Sequence, residues 1–137
     1  MAVPTEPRTE HPMGSLTILG STVQHAVDHV ECFPAPDGVV SVRATTGELT
    51  SLCPVTGQPD ISHVVIEYQP DLWCVESKSL KLYLWRFRDR PVFAEALAAE
   101  IADEIMGSVM ARSVRVHLTQ QPRGGITIEA IAERRSG

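Results

Sequence analysis

The chain has 137 residues, 43% of them hydrophobic and 21% charged, enough for one globular unit with a real but modest core. A net charge of -5 and a pI near 5.5 argue against a protein that grips a nucleic-acid backbone, which needs a basic face. No hydrophobic run reaches the roughly 20 residues of a membrane span.

In chain order, Met1 to about Met13 is rich in Pro, Thr and Glu and poor in large apolar residues, so residues 1–13 read as a floppy tail before a single domain, 14–137. Cys32, Cys53 and Cys74 share no Cys-x-x-Cys spacing and follow no secretory leader, which reads as a reduced, cytoplasmic protein. Their 21-residue separation marks no repeat, because their neighbours differ. His25 and His29 could share a helical face, but no third ligand stands near them, and no metal site is expected.

Val39 to Thr46 alternates apolar and polar residues, the period of a half-buried strand, and His63 to Tyr68 supplies a second. After Glu76 the pattern is double. Leu80, Leu82 and Leu84 alternate like a strand, whereas Leu80, Tyr83, Leu84 and Phe87 make a helical stripe, and helix is preferred. Pro91 is then expected in the first turn of a second helix, whose stripe is Leu97, Ile101, Ile105 and Val109. Val114, Val116 and Leu118 line a third strand, and Ile126 and Ile128 begin a fourth after Gln-Pro-Arg-Gly-Gly. The order ββααββ predicts an α+β fold, a four-stranded antiparallel sheet with two helices on one face.

The chemistry concentrates in Ser51-Leu52-Cys53-Pro54-Val55-Thr56-Gly57-Gln58-Pro59-Asp60. Pro54, Gly57 and Pro59 favour a turning path that would bring Asp60 back towards Cys53. A thiolate attacks electrophilic carbon, and a nearby carboxyl can protonate the atom that gains negative charge, so the pair reads as nucleophile and general acid. The alternative is a small buried thiol beside a surface turn.

That block, Val75-Glu76-Ser77-Lys78-Ser79-Leu80-Lys81 and Pro122-Arg123-Gly124-Gly125-Ile126 together resemble, in content and order, the nitrile reductases of queuosine biosynthesis, the QueF family. The resemblance runs from about Leu16 to Ile128 and matches the short, single-module branch. It implies the tunnelling fold (T-fold), in which subunits join through their sheets into barrels with active sites at subunit boundaries, as decamers of two stacked pentamers. It further implies reduction of 7-cyano-7-deazaguanine to 7-aminomethyl-7-deazaguanine with NADPH. Cys53 would form a covalent thioimide with the nitrile carbon, and Asp60 would protonate the nitrogen.

By the same resemblance Glu95 pairs with the guanine-like edge of the base, with Phe93 placed to stack on it and Val75, Glu76 and Ser77 also touching substrate. Ala94 stands where many relatives carry His. Ser77, Lys78, Lys81, Arg123 and Gly124 are implied to hold NADPH. Without the family, Lys78 and Lys81 would read as a solvated helix face, and no Gly-x-Gly-x-x-Gly indicates a Rossmann site. Two rivals remain: an amidinotransferase that uses the same cysteine on a nitrile already in tRNA, and a non-catalytic purine- or pterin-binding module on the same fold. The intact Glu-Ser-Lys-Ser-Leu-Lys block speaks against the first. A binding module would need neither Cys53 nor Asp60.

Overall fold

A computed structural model describes residues 16–137; the expected tail, 1–13, lies outside the described residues. Six strands and two helices run in the order β1 (Cys32–Pro34), β2 (Val42–Leu52), β3 (Pro59–Gln69), β4 (Trp73–Val75), α1 (Ser77–Trp85), α2 (Ala94–Val109), β5 (Ser113–Arg123) and β6 (Ile126–Arg135). Strands β2-β3-β5-β6 form one antiparallel sheet, while β1 and β4 pair as a separate two-stranded ribbon. The expected four-stranded sheet and helix pair are therefore present. The ribbon is an addition, because three-residue strands are too short to show an alternating pattern.

The core lies between the sheet and α2. Leu97, Ile101, Ile105 and Val109 are fully buried, and so are Val64, Val116 and Leu118 of the facing strands. The predicted stripe of the second helix thus points where its 3.6-residue period requires. Helix α2 packs over β5 and β6, and a 3-10 turn, Arg86–Asp89, lies against β2.

Two helix boundaries differ from expectation. Helix α1 stops at Trp85, and Phe87 is buried from within the 3-10 turn, its ring edge-on to Tyr83 at 5.3 Å between centroids. Pro91 does not open α2. It lies in an extended segment that bridges to Leu52: the Leu52 N–H donates to the Arg90 carbonyl at 3.0 Å, and the Val92 N–H donates to the Leu52 carbonyl at 3.2 Å. Those bonds hold the chain straight until Phe93 caps the helix, and the residue before a proline already favours extended backbone.

Strand β2 also begins later and runs longer than the alternation suggests, because its register changes between Thr46 and Leu49. Thr46 pairs with Val64 and Leu49 with Ser62, so Gly47 and Glu48 together face only His63, a β-bulge. The Thr46 hydroxyl accepts the Glu48 N–H at 3.0 Å. Before the bulge Val42, Ala44 and Thr46 are the more buried residues; after it Leu49 and Ser51 are. One inserted residue therefore changes which parity of the strand faces the core.

Helix α2 ends on Met110 in the left-handed conformation, φ 51° and ψ 49°, with its N–H bonded to the Met106 carbonyl. That conformation costs an L-residue about 1 kcal/mol relative to glycine. Since Met110 is 44% exposed, Met110→Gly gives up little packing. It should raise the melting temperature by roughly 2 °C, the strain relieved being offset in part by glycine's larger unfolded-state entropy. Differential scanning calorimetry would check this, and a fall would show that the Met110 side chain contributes more than its exposure suggests.

Candidate active site

Cys53 follows β2 directly and opens the turn back into β3. Its N–H donates to the Gln58 carbonyl at 2.8 Å and its carbonyl accepts the Gly57 N–H at 2.9 Å. Gly57 has φ +75°, a conformation that glycine adopts without strain, which explains its place in the turn. The sulfur accepts the Thr56 N–H at 3.5 Å. Hydrogen bonds from the Thr56 side chain, then from the Thr56 and Val55 N–H groups, pull the Cys53 thiol below its ordinary value, against the opposing charge of Asp60. Cys53 is half-buried at the surface. The other two thiols lie under the protein: burial pushes Cys32 up to about 12 and also raises Cys74. Of the three, Cys53 is the one with nucleophile character.

Asp60 sits in strand β3, just past the turn, and is only 5% exposed. Its cross-strand partner is Ser51, two residues before Cys53. Ser51 is inward-facing because of the bulge, so the parity that buries Asp60 also brings the Cys53 position to the same face. The predicted approach of the two residues is thus made by strand pairing.

The Arg123 guanidinium pairs with Asp60 Oδ1 and also donates to the Pro59 carbonyl at 2.9 Å. Arg123 was expected to serve a cofactor phosphate; in this chain its partner is the carboxylate beside the thiol. Gly124 and Gly125 make the β5–β6 turn that carries it, with φ 58° and 82°.

Phe93 and Glu95 open α2, both exposed, and the segment before them, Arg90 to Val92, is bonded to Leu52, the residue before Cys53. Phe93 is 58% exposed at the helix N-cap, an unusual place for a large ring. Ala94, expected to touch substrate, instead turns into the hydrophobic core at 3% exposure, since the helix alternates its faces there. The segment is braced from behind: Glu100 accepts from Arg86 at 2.8 Å and from Arg90, while the guanidinium carbons of Arg86 and Arg90 lie 5.0 and 5.6 Å from the centre of the Phe87 ring.

The remaining predicted residues lie around α1. Glu76 is buried and caps the helix, accepting the Ser79 N–H at 2.8 Å and the Lys78 N–H at 2.9 Å. Its carboxylate therefore has a structural task that the sequence reading did not assign. Val75, half-buried at the end of β4, packs on the core. The Lys78 ammonium donates to the carbonyls of Ile18 and Ser21. Ser77 and Lys81 line a cleft of about 380 Å³ with Thr45, Glu48, Leu84 and Trp85. Neither Cys53, Asp60 nor Glu95 lines that cleft. One chain thus presents two separate groups of candidate residues.

Residues 59–136 match the family described as QueF-like protein. Over 102 residues, 74% of this chain and 72% of the relative, the chain is 44% identical to the NADPH-dependent 7-cyano-7-deazaguanine reductase of Acidithiobacillus ferrooxidans. It is 47% identical over 96 residues to the protein of that name from Parvibaculum lavamentivorans, covering 70% of this chain and 62% of the relative. Among solved structures, the apo archaeosine synthase QueF-Like superposes with a TM-score of 0.65 at 26% identity, covering 69% of this chain and 92% of that one. The fold is thus the α+β tunnelling fold, with the Cys53 turn at the end of a sheet hairpin. The chain belongs to the QueF family.

Thr56 was not singled out from the sequence, although a threonine three residues after a nucleophile is a local signal of side-chain-to-chain bonding. Thr56→Val removes the side-chain hydrogen bond that does most to lower the Cys53 thiol while keeping the backbone donor. The thiol should then titrate at higher pH, and its alkylation by iodoacetamide at neutral pH should slow by roughly three- to tenfold. Rate against pH, followed by intact mass, measures the shift. An unmoved profile would assign the activation to the backbone N–H groups alone.

Proposed function

We propose that this chain is an NADPH-dependent 7-cyano-7-deazaguanine reductase that converts the nitrile to the aminomethyl group of 7-aminomethyl-7-deazaguanine. The observation that carries this reading is the Cys53 thiol, lowered by the Thr56 bonds and held on the sheet face where Asp60 is buried. The names of the relatives, each an NADPH-dependent reductase of this nitrile, support it.

In the reaction, Cys53 attacks the nitrile carbon and a thioimide forms as nitrogen takes a proton from Asp60. NADPH, when bound, supplies hydride to carbon. The thiolate leaves as the imine forms, and a second reduction gives the amine. Asp60 quenches charge at nitrogen in a place shielded from water, where such stabilisation is strongest. Glu95 offers acceptors to the adjacent N1–H and 2-amino donors of the base, with the Phe93 ring beside it.

Ser77 and Lys81 suit the cofactor: the cleft they line pairs a cation for phosphate with the apolar walls of Leu80, Leu84 and Trp85. Lys78, Arg123 and Gly124 join that set once Lys78 and Arg123 turn from their present partners. The cleft and the thiol turn are distinct on one chain, which favours sites completed between subunits. Among the described residues, β6 has one unpaired edge and β2 has one that only Leu52 engages, and β6 exposes Ile126, Ile128 and Ile131, so edge-to-edge assembly has a physical motive. We take the assembly to be a decamer of two pentamers, with residues 14–137 as one catalytic domain working in the cytoplasm on a small molecule, without binding nucleic acid. No helix among the described residues is long and apolar enough to cross a membrane.

The solved archaeosine synthase neighbour keeps the amidinotransferase as a second reading. Incubation with 7-cyano-7-deazaguanine and NADPH, followed at the nicotinamide absorbance, separates the two: a reductase oxidises NADPH and needs no ammonia. Cys53→Ala should lose both turnover and the covalent adduct seen by intact mass on the wild type. An adduct persisting in that variant would refute the nucleophile.

The two carboxyl groups should fail differently. On a Cys53→Ala background, Glu95→Gln sets a donor against the donors of the base and should cost roughly 1.5–3 kcal/mol, about ten- to more than a hundredfold in affinity. Asp60→Asn should leave binding nearly intact while abolishing reduction in the Cys53 enzyme. Calorimetric titration with the nitrile compares them, and equal losses would show that the roles are not divided in this way.

A further inference from the structure

Helix α1 ends on a large ring that the site has not used. Trp85 is 40% exposed, and the Arg88 guanidinium lies over its indole, 4.2 Å from the ring centre. A single exposed aromatic is ordinary, but this one lines the cleft of about 380 Å³ together with Ser77 and Lys81. That volume falls in the range of small-molecule sites, roughly 300–1,000 Å³. The three residues stand at i, i+4 and i+8, so the helical period sets them on one exposed stripe while Leu80 and Tyr83 turn into the core. From Ser77 to Trp85 the helix rises about 12 Å, a length that a dinucleotide can cover.

The stripe changes in chemistry along its length. Ser77 offers a hydroxyl, Lys81 a cation midway, and Trp85 a flat ring with a second cation, Arg88, beside it. An aromatic side chain stacks on any nucleobase, because every base has a π-face. In NADPH the phosphate that NADH lacks is carried by the ribose bonded to adenine. A stacking ring and an extra cation are therefore wanted at the same end of that molecule. Arg88 is free to respond: its contacts with the indole face and with Asp89 at 3.4 Å are open to water, where such pairs are weak. The β2 wall of the cleft holds Glu48, whose charge repels phosphate and directs it to the helix side, while its carboxylate can accept from ribose hydroxyls.

We infer that Trp85 is the stacking surface for the adenine of NADPH and that Arg88 pairs with the 2′-phosphate, which makes Arg88 the residue that tells NADPH from NADH. This deepens the reading of Ser77 and Lys81 as cofactor residues and rests on it.

The test uses the full chain in its purified assembly, with NADP+ and NAD+ as probes that bind without reacting. Calorimetric titration gives the affinities, tryptophan emission reports the ring, and the melting temperature checks that each variant is folded. Arg88→Gln should weaken NADP+ about tenfold or more and NAD+ by no more than about twofold. Trp85→Ala should weaken NADP+ by roughly fivefold or more, a loss of stacking. Trp85→Phe keeps a ring and should recover most of that affinity. It should also lose the quenching that NADP+ causes in the wild type, since the other tryptophan, Trp73, is buried. With nitrile and NADPH, the Arg88→Gln and Trp85→Ala losses should appear in KM for NADPH, while kcat and adduct formation with nitrile alone stay within about twofold.

An Arg88→Gln variant that loses NAD+ as much as NADP+, or a folded Trp85→Ala variant that binds NADP+ like wild type, would overturn the assignment. If the wild type oxidises NADPH and neither variant changes KM, the subsite is lost and the proposed function stands. If the wild type binds NADP+ with Trp85 quenched yet oxidises no NADPH with the nitrile, the proposed reaction fails and the subsite stands. A wild type that binds no NADP+ would sink both.

Discussion

The bulge at Gly47 and Glu48 is the constraint on which the site depends. Without it, β2 would keep the parity of Val42, Ala44 and Thr46, and Glu48, Thr50 and Leu52 would continue the inward row. With it, Leu49 enters the core, Ser51 comes opposite Asp60, and Cys53 leaves the strand on the buried carboxyl's side. Leu52, turned the other way, keeps its N–H and carbonyl free to receive the Arg90–Val92 segment. A single extra residue thus aligns the thiol turn with the acid on one side and with the entry to α2 on the other.

That second alignment has its own support. A lone two-bond bridge between Leu52 and the Pro91 segment would be a weak tether in water. Glu100 gathers Arg86 and Arg90 over the buried Phe87 ring, and Phe87 in turn packs on Tyr83. The segment is thereby held from the α2 side while Leu52 holds it from the β2 side. Charged groups that share one carboxylate over an aromatic face form a network, and networks fix geometry better than isolated exposed pairs do. The stretch between the helices is short and irregular, yet Phe93 and Glu95 stand on a defined base.

The sequence was most informative where periodicity ran long. The stripe Leu97, Ile101, Ile105, Val109 located α2, and Val114, Val116 and Leu118 located β5, because repeated burial of one face leaves a repeated trace. Cys53 and Asp60 were legible as chemistry, but the means of their approach was not: strand pairing joins them, and pairing depends on a partner distant in sequence. The bulge was hidden because Gly47 and Glu48 break the alternation in a way that a loop would also break it. Pro91 was misplaced for a similar reason, since a proline suits an extended bridge as well as a helix start. The double engagement of Glu76, Lys78 and Arg123 was beyond reach, for charge and spacing name a side chain's capacity without naming its partner.

The contrast among the three thiols has a consequence for damage. Cys53 is accessible and its thiol is the more readily ionised, while Cys32 donates its thiol hydrogen to the Ser108 carbonyl and, like Cys74, is pushed towards the protonated form by burial in the ribbon. A peroxide therefore meets one reactive sulfur. The sulfenic acid formed there has no resolving cysteine on the surface of its own chain with which to close a disulfide. Unless a small thiol caps it, the next oxidant carries it to sulfinic acid, from which ordinary thiol reductants give no return. The exposure that makes the sulfur useful also leaves its upkeep to the reducing power of its surroundings.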